Sequence, residues 1–126
     1  MREAVQTSDA PAAIGPYSQA VRVGSFLFIS GQIPLDPASG RITEGDIRAQ
    51  THRVMRSLGA ILDAAGASYD RVVRTTVFLT DLADFEQFNE VYGGYFEDPA
   101  PARATVQVAS LPKGVSLEID AIAHLE

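Results

Sequence analysis

The chain has 126 residues, 46% of them hydrophobic, with no cysteine and a formal net charge of -6. That is the length of one domain with ample apolar material for a core, which excludes a disordered chain. The missing cysteines exclude disulfides, thiolate nucleophiles and zinc sites of the cysteine type, and the acidic balance makes a phosphate backbone a poor partner.

Residues Arg2 to Gln6 form a candidate first strand. Asp9 to Pro16 carries two prolines and a glycine and is a loop. Tyr17 to Val23 alternates and predicts a strand, joined by a Gly24-Ser25 turn to Phe26-Leu27-Phe28-Ile29. The nearly unbroken apolar run of the latter predicts a strand buried on both faces. It ends at Ser30-Gly31-Gln32, where glycine admits close backbone approach. Pro34 to Gly45 is a loop, with Thr43 and Asp46 resembling a shortened capping box. Ile47, Thr51, Val54, Met55, Leu58, Ile61, Leu62 and Ala65 then recur at helical spacing, and Gly66 is a C-terminal cap. His52 borders this stripe without a second ligand at metal spacing and reads as a helix-surface histidine.

Val72 to Leu79 is a β-branched strand. Thr80-Asp81 caps a second helix whose stripe, Phe85, Phe88, Tyr92, Tyr95 and Phe96, reads as core. Gly93-Gly94 lies inside this helix, and Asp98-Pro99-Ala100-Pro101 ends it.

Residues 101–109 and 115–123 both alternate with period two. The Pro- and Gly-bearing linker between them predicts a hairpin. Aligning the polar sides of its two strands gathers Arg103, Thr105, Gln107, Glu118 and Asp120 on one side of the sheet. Helices then cover the other side. Taken alone, the polar side reads as solvated surface, with Arg103 beside Glu118 as an ion pair worth at most about 1 kcal/mol.

The element order predicts a single α+β domain over residues 1–126, one mixed sheet with both helices on one face. There is no P-loop, dinucleotide fingerprint, serine elbow or metal-ligand cluster. No apolar run approaches the ~18 residues of a membrane helix, and Met1-Arg2-Glu3-Ala4 lacks a signal-peptide pattern. A cytoplasmic protein without membrane or nucleic-acid partners is the expectation.

Five blocks carry a resemblance: Ala10 to Gln19, Ile29 to Pro34, Thr75 to Asp81, Pro101-Ala102-Arg103, and Glu118 to Ala123. Together and in this order they resemble the signature of the RidA (YjgF) family of enamine/imine deaminases. The resemblance implies a chorismate-mutase-like α+β fold and a homotrimer with sites between subunits. It implies hydrolysis of short 2-imino acids (2-iminobutanoate, 2-iminopropanoate) and their enamine tautomers to 2-keto acids and ammonia, with neither metal nor organic cofactor. Such imines are released by pyridoxal-phosphate enzymes acting on threonine or serine. Residue by residue, the match carries Arg103 over as the clamp on the substrate carboxylate, for which a guanidinium supplies a bidentate fork. Glu118 falls at the acid that handles the hydrolytic water. Gly31 and Thr105 fall where backbone groups contact substrate, Tyr17 at a pocket-closing tyrosine, and Ser30 and Asn89 at polar residues that order the site. Thr105 replaces a cysteine of several members, and Gln107 a glutamate of some. Two alternatives stand beside the deaminase: a trimer that binds small carboxylates without turnover, and an endoribonuclease, against which the acidic charge argues.

Overall fold

The computed structural model describes all 126 residues. Six strands form one sheet: β1 (Glu3–Val5), β2 (Ala20–Val23), β3 (Phe26–Gln32), β4 (Val72–Leu79), β5 (Ala102–Gln107) and β6 (Leu117–His124). Two helices, α1 (Ile47–Ala64) and α2 (Phe85–Gly93), complete the α+β fold. The sheet order is β1-β2-β3-β6-β4-β5. Only the β4–β5 pair is parallel; the other pairs are antiparallel. No helix is long and apolar enough to cross a membrane.

The helical pattern of α1 buries Ile47, Thr51, Val54, Met55, Leu58, Ile61 and Leu62. Asp46 starts the helix, its Oδ1 accepting from the Ala49 N–H at 3.1 Å. Gly66 follows the last turn at φ +76, the left-handed value that favours glycine there. That stripe packs on Leu27 and Ile29 of β3, Val77 and Leu79 of β4, and Leu117, Ile119, Ala121 and Ala123 of β6. Phe88 and Tyr92 of α2 join the same core.

The structure corrects three expectations. First, residues 101–109 and 115–123 do not form a hairpin. β4 lies between β5 and β6, because the β5 strand pairs in parallel with β4 and β6 takes β4's other edge. Second, that insertion reverses the parity. Paired residues of neighbouring strands share a face, so the rows Thr105–Val77–Ile119 and Val106–Phe78–Glu118 point opposite ways. Arg103, Thr105 and Gln107 therefore stand on the helix-covered side, and Glu118 and Asp120 on the open side. The Arg103–Glu118 surface pair does not exist. Third, β3 is buried on one face only: Leu27 and Ile29 are buried, whereas Phe26 and Phe28 are 43% and 47% exposed. The open face is thus apolar as well as acidic.

Smaller differences concern ends. The strand expected from Tyr17 starts at Ala20, so Tyr17 belongs to the preceding loop. Asp81 caps a 3₁₀ turn, Leu82–Asp84, and α2 follows directly from it. Gly93 and Gly94 end α2 instead of interrupting it.

Candidate active site

The residues singled out by sequence fall into two groups on one chain. The first surrounds Arg103. Positions 85, 88, 89 and 92 of α2 share one helical face and turn it toward β5. The Arg103 guanidinium carbon lies 5.4, 5.8 and 5.0 Å from the ring centres of Phe85, Phe88 and Tyr92. Aromatic faces at this range attract a cation. Arg103 Nη1 donates to Asn89 Oδ1 at 2.8 Å, which fixes the fork's rotation. The Tyr92 hydroxyl is tied at 2.7 Å to the hydroxyl of fully buried Thr75. Burial pushes the Tyr92 pKa up, against the opposing pull of Thr75 and Arg103, so the ring stays neutral beside the guanidinium.

Arg103, Thr105, Leu82 and Phe85 line a cavity of about 410 Å³. The backbone adds donors. Val108 N donates to Leu79 O at 2.8 Å, and in a parallel ladder alternate residues bond the neighbour. The intervening Arg103, Thr105 and Gln107 accordingly turn their N–H and C=O groups to the free edge of β5. A preset cation, flat rings and an edge N–H at Thr105 are groups with which a small carboxylate can pair.

The second group surrounds Glu118. β3 bulges between Ile29 and Gln32 opposite β6. The bulge lets the Glu118 side chain lie against Gly31: a Cβ there would run into Oε2 and come within 2.8 Å of Cδ. Burial, then the neighbouring Asp120 charge, holds the Glu118 carboxyl above the usual carboxylate range. No cation of the same chain pairs with it; the one salt bridge joins Arg48 to Glu90 at 2.8 Å. Ser30 anchors the adjacent loop, its hydroxyl donating to Ser18 O at 2.6 Å and its N–H to Gln19 O at 2.9 Å. Tyr17 is 53% exposed, with the Ile14 N–H donating to its hydroxyl at 3.3 Å. Tyr17, Gly31, Gln32 and Lys113 help line a cavity of about 230 Å³.

The structure thus joins Arg103 with Asn89 and Thr105, and Glu118 with Gly31, on opposite sheet faces; Tyr17 meets Gly31 at the smaller cavity, and Ser30 is tied to the Ser18–Gln19 segment without a contact to Glu118. Two features escaped the sequence reading. The rings of Phe85, Phe88 and Tyr92 frame Arg103 as well as filling core, and the signal was their spacing around Asn89. Gln19 is a buried staple: Oε1 accepts from Thr7 N at 2.7 Å, and Nε2 donates to Thr7, Ala10 and Pro11 carbonyls. It shapes the loop that carries Tyr17. No group of three or more His, Cys, Asp or Glu is placed to hold a metal ion.

Fold and geometry define a small α+β domain with one guanidinium held among three aromatic rings. A family model described as Endoribonuclease L-PSP matches residues 7–125. Protein DfrA of Myxococcus xanthus is 58% identical over 97% of this chain and 95% of that protein. The 2-iminobutanoate/2-iminopropanoate deaminase of Mus musculus is 50% identical over 98% of this chain and 91% of its own. Among solved structures, E. coli TdcF with bound serine superposes with a TM-score of 0.92 at 46% identity, covering 97% of this chain and 98% of that one. The chain belongs to the RidA (YjgF) family.

Proposed function

We propose that the protein hydrolyses short 2-imino acids, 2-iminobutanoate and 2-iminopropanoate, to 2-keto acids and ammonia, in a homotrimer whose sites form between subunits. The observation that carries this reading is the division of the site. One chain presents the Arg103 guanidinium, held by Asn89, and the Glu118 carboxyl, set against Gly31, on opposite faces. A cyclic assembly brings the Arg103 group of one subunit against Glu118 of the partner subunit. The exposed Phe26, Phe28 and Val106 supply apolar surface for such contact. Among the relatives, the name of the mouse deaminase and the serine, itself a small carboxylate, bound to E. coli TdcF support the reading.

In this mechanism Arg103 and the Thr105 N–H hold the substrate carboxylate, and the planar imine lies toward Glu118. Ionised Glu118 takes a proton from water as the water oxygen bonds to C2. The C=N π pair moves to nitrogen, which takes up a proton from solvent, giving a carbinolamine. The carbinolamine C–N bond then breaks as Glu118 returns its proton to the departing amine. The hydroxyl proton passes to solvent as the keto group forms, matching the proton that nitrogen took up. Imine and water are consumed, and keto acid and ammonia are released. The raised pKa of Glu118 brings its proton affinity closer to neutrality, which suits a group that must both accept and donate.

The test is a threonine dehydratase reaction, in which free 2-iminobutanoate is generated continuously. Added protein is expected to speed 2-oxobutanoate release beyond the spontaneous rate, and an unchanged rate would contradict the reading. A carboxylate-binding trimer without turnover is the second reading, favoured by the completeness of the Arg103 receptor on its own. It predicts binding of 2-oxobutanoate without that acceleration.

A further inference from the structure

Gln107 makes one contact that none of the roles above uses. Its Oε1 accepts from the Leu82 N–H at 2.9 Å. Leu82 opens the 3₁₀ turn that runs straight into α2. Inside that turn Ala83 N donates to Asp81 Oδ1 and Asp84 N to Asp81 O. Leu82 N is therefore the donor of the turn that reaches the sheet. Leu82 and Phe85 wall the Arg103 cavity, and α2 carries Asn89 and the rings around the guanidinium. Gln107 and Arg103 lie on the same strand and the same face, four residues apart.

We propose that Gln107 is a positioning residue for the carboxylate receptor: it ties the entry of α2 to β5, so that wall, rings and guanidinium keep one spacing. The inference rests on the carboxylate-binding part of the reading above and not on turnover. What the tie requires is an acceptor at the end of a side chain of this length. Glutamate supplies one. Its charge would sit roughly 13 Å along the strand from Arg103, beyond the ~8 Å Debye length at physiological salt. Leucine supplies none. The side chain is exposed, so neither substitution opens a cavity in the core.

The experiment measures 2-oxobutanoate affinity by calorimetry, imine kinetics and melting temperature for wild type, Gln107→Leu and Gln107→Glu. Gln107→Leu is expected to bind 2-oxobutanoate three- to tenfold more weakly and to raise KM by the same factor, with kcat within twofold. Gln107→Glu is expected to stay within twofold of wild type in all three. Wild-type affinity in Gln107→Leu, with or without a lower melting temperature, overturns the proposal, as does a Gln107→Glu variant as weak as Gln107→Leu. A wild type that binds 2-oxobutanoate without hydrolysing imines removes the deaminase reading and leaves the affinities to decide this one. A wild type that binds none removes both.

Discussion

Arg103 and Glu118 stand on opposite faces of one sheet, with β4 between their strands. A substrate of four carbons cannot touch both side chains of a single chain arranged this way. Each residue is nevertheless held in place, Arg103 by three rings and Asn89, Glu118 by its contact with Gly31.

The guanidinium fork is the first thing to test. Arg103→Lys keeps the charge and loses the second parallel bond, at a cost of roughly 1.5–3 kcal/mol. That corresponds to about a ten- to hundredfold fall in kcat/KM. Arg103→Ala is expected to do worse, because carboxylate recognition disappears. Steady-state kinetics on enzyme checked for assembly decides it: a Lys variant at wild-type efficiency removes the clamp.

Glu118→Gln keeps the shape and loses the proton acceptor. Turnover is expected to fall about 10²-fold, near 3 kcal/mol of barrier, while 2-oxobutanoate still binds. The stability effect has the opposite sign. Glu118 titrates above its ordinary 4.5 in the folded chain, so at neutral pH its ionised form costs native stability. On acidification the native state takes up this proton before the unfolded state does, and the cost vanishes once both are protonated. Glu118→Gln should therefore melt higher than wild type at pH 7, with the gain shrinking as pH falls through the raised pKa toward and below 4.5. A gain that grew on acidification would show that the shift has the other direction.

Gly31→Ala tests the seat of the carboxylate. The added Cβ meets the far end of Glu118, a flexible group that can swing aside without unfolding the sheet. The expected variant is folded, with melting within a few degrees of wild type and turnover reduced at least tenfold. Full activity would mean that Glu118 works from another position.

Thr75 and Tyr92 form a buried hydroxyl pair beneath Arg103. Thr75→Val leaves the Tyr92 hydroxyl unpaired, costing about 1–3 kcal/mol. The double variant with Tyr92→Phe removes both partners and is expected to cost less than the two single changes summed. Urea unfolding of the four proteins measures this coupling, and strict additivity would contradict it.

Much of this molecule is legible in its residues because the governing forces are local. The spacing from Ile47 to Leu62 sets α1, Asp46 and Gly66 mark its ends, and β-branched Val72 to Leu79 sets β4. The alternation of Ala102 to Gln107 and of Leu117 to His124 is equally plain. What alternation does not contain is the identity of the neighbouring strand. β4 enters between β5 and β6 from thirty residues upstream, and one inserted strand changes which faces coincide. The candidate site residues were singled out for a different reason: Arg103, Glu118 and Gly31 stand in blocks that resemble the family signature, and Asn89 was matched singly outside those blocks. Their grouping was not, because it depends on that same strand order. Nor does composition separate a ring that fills core from one that also frames a cation, as Tyr92 does.

The most direct measurement is complementation between two inactive proteins. Arg103→Ala and Glu118→Gln are each purified, mixed in equal amounts, unfolded and refolded together, with each protein refolded alone as control. If a site joins Arg103 of one subunit to Glu118 of the partner subunit, random reassembly restores an intact pair at about one interface in four. The mixture should then recover roughly a quarter of wild-type imine hydrolysis, at the mass of a trimer by light scattering. Activity no greater than the sum of the two controls, in mixed assemblies of that mass, would contradict a site shared between chains.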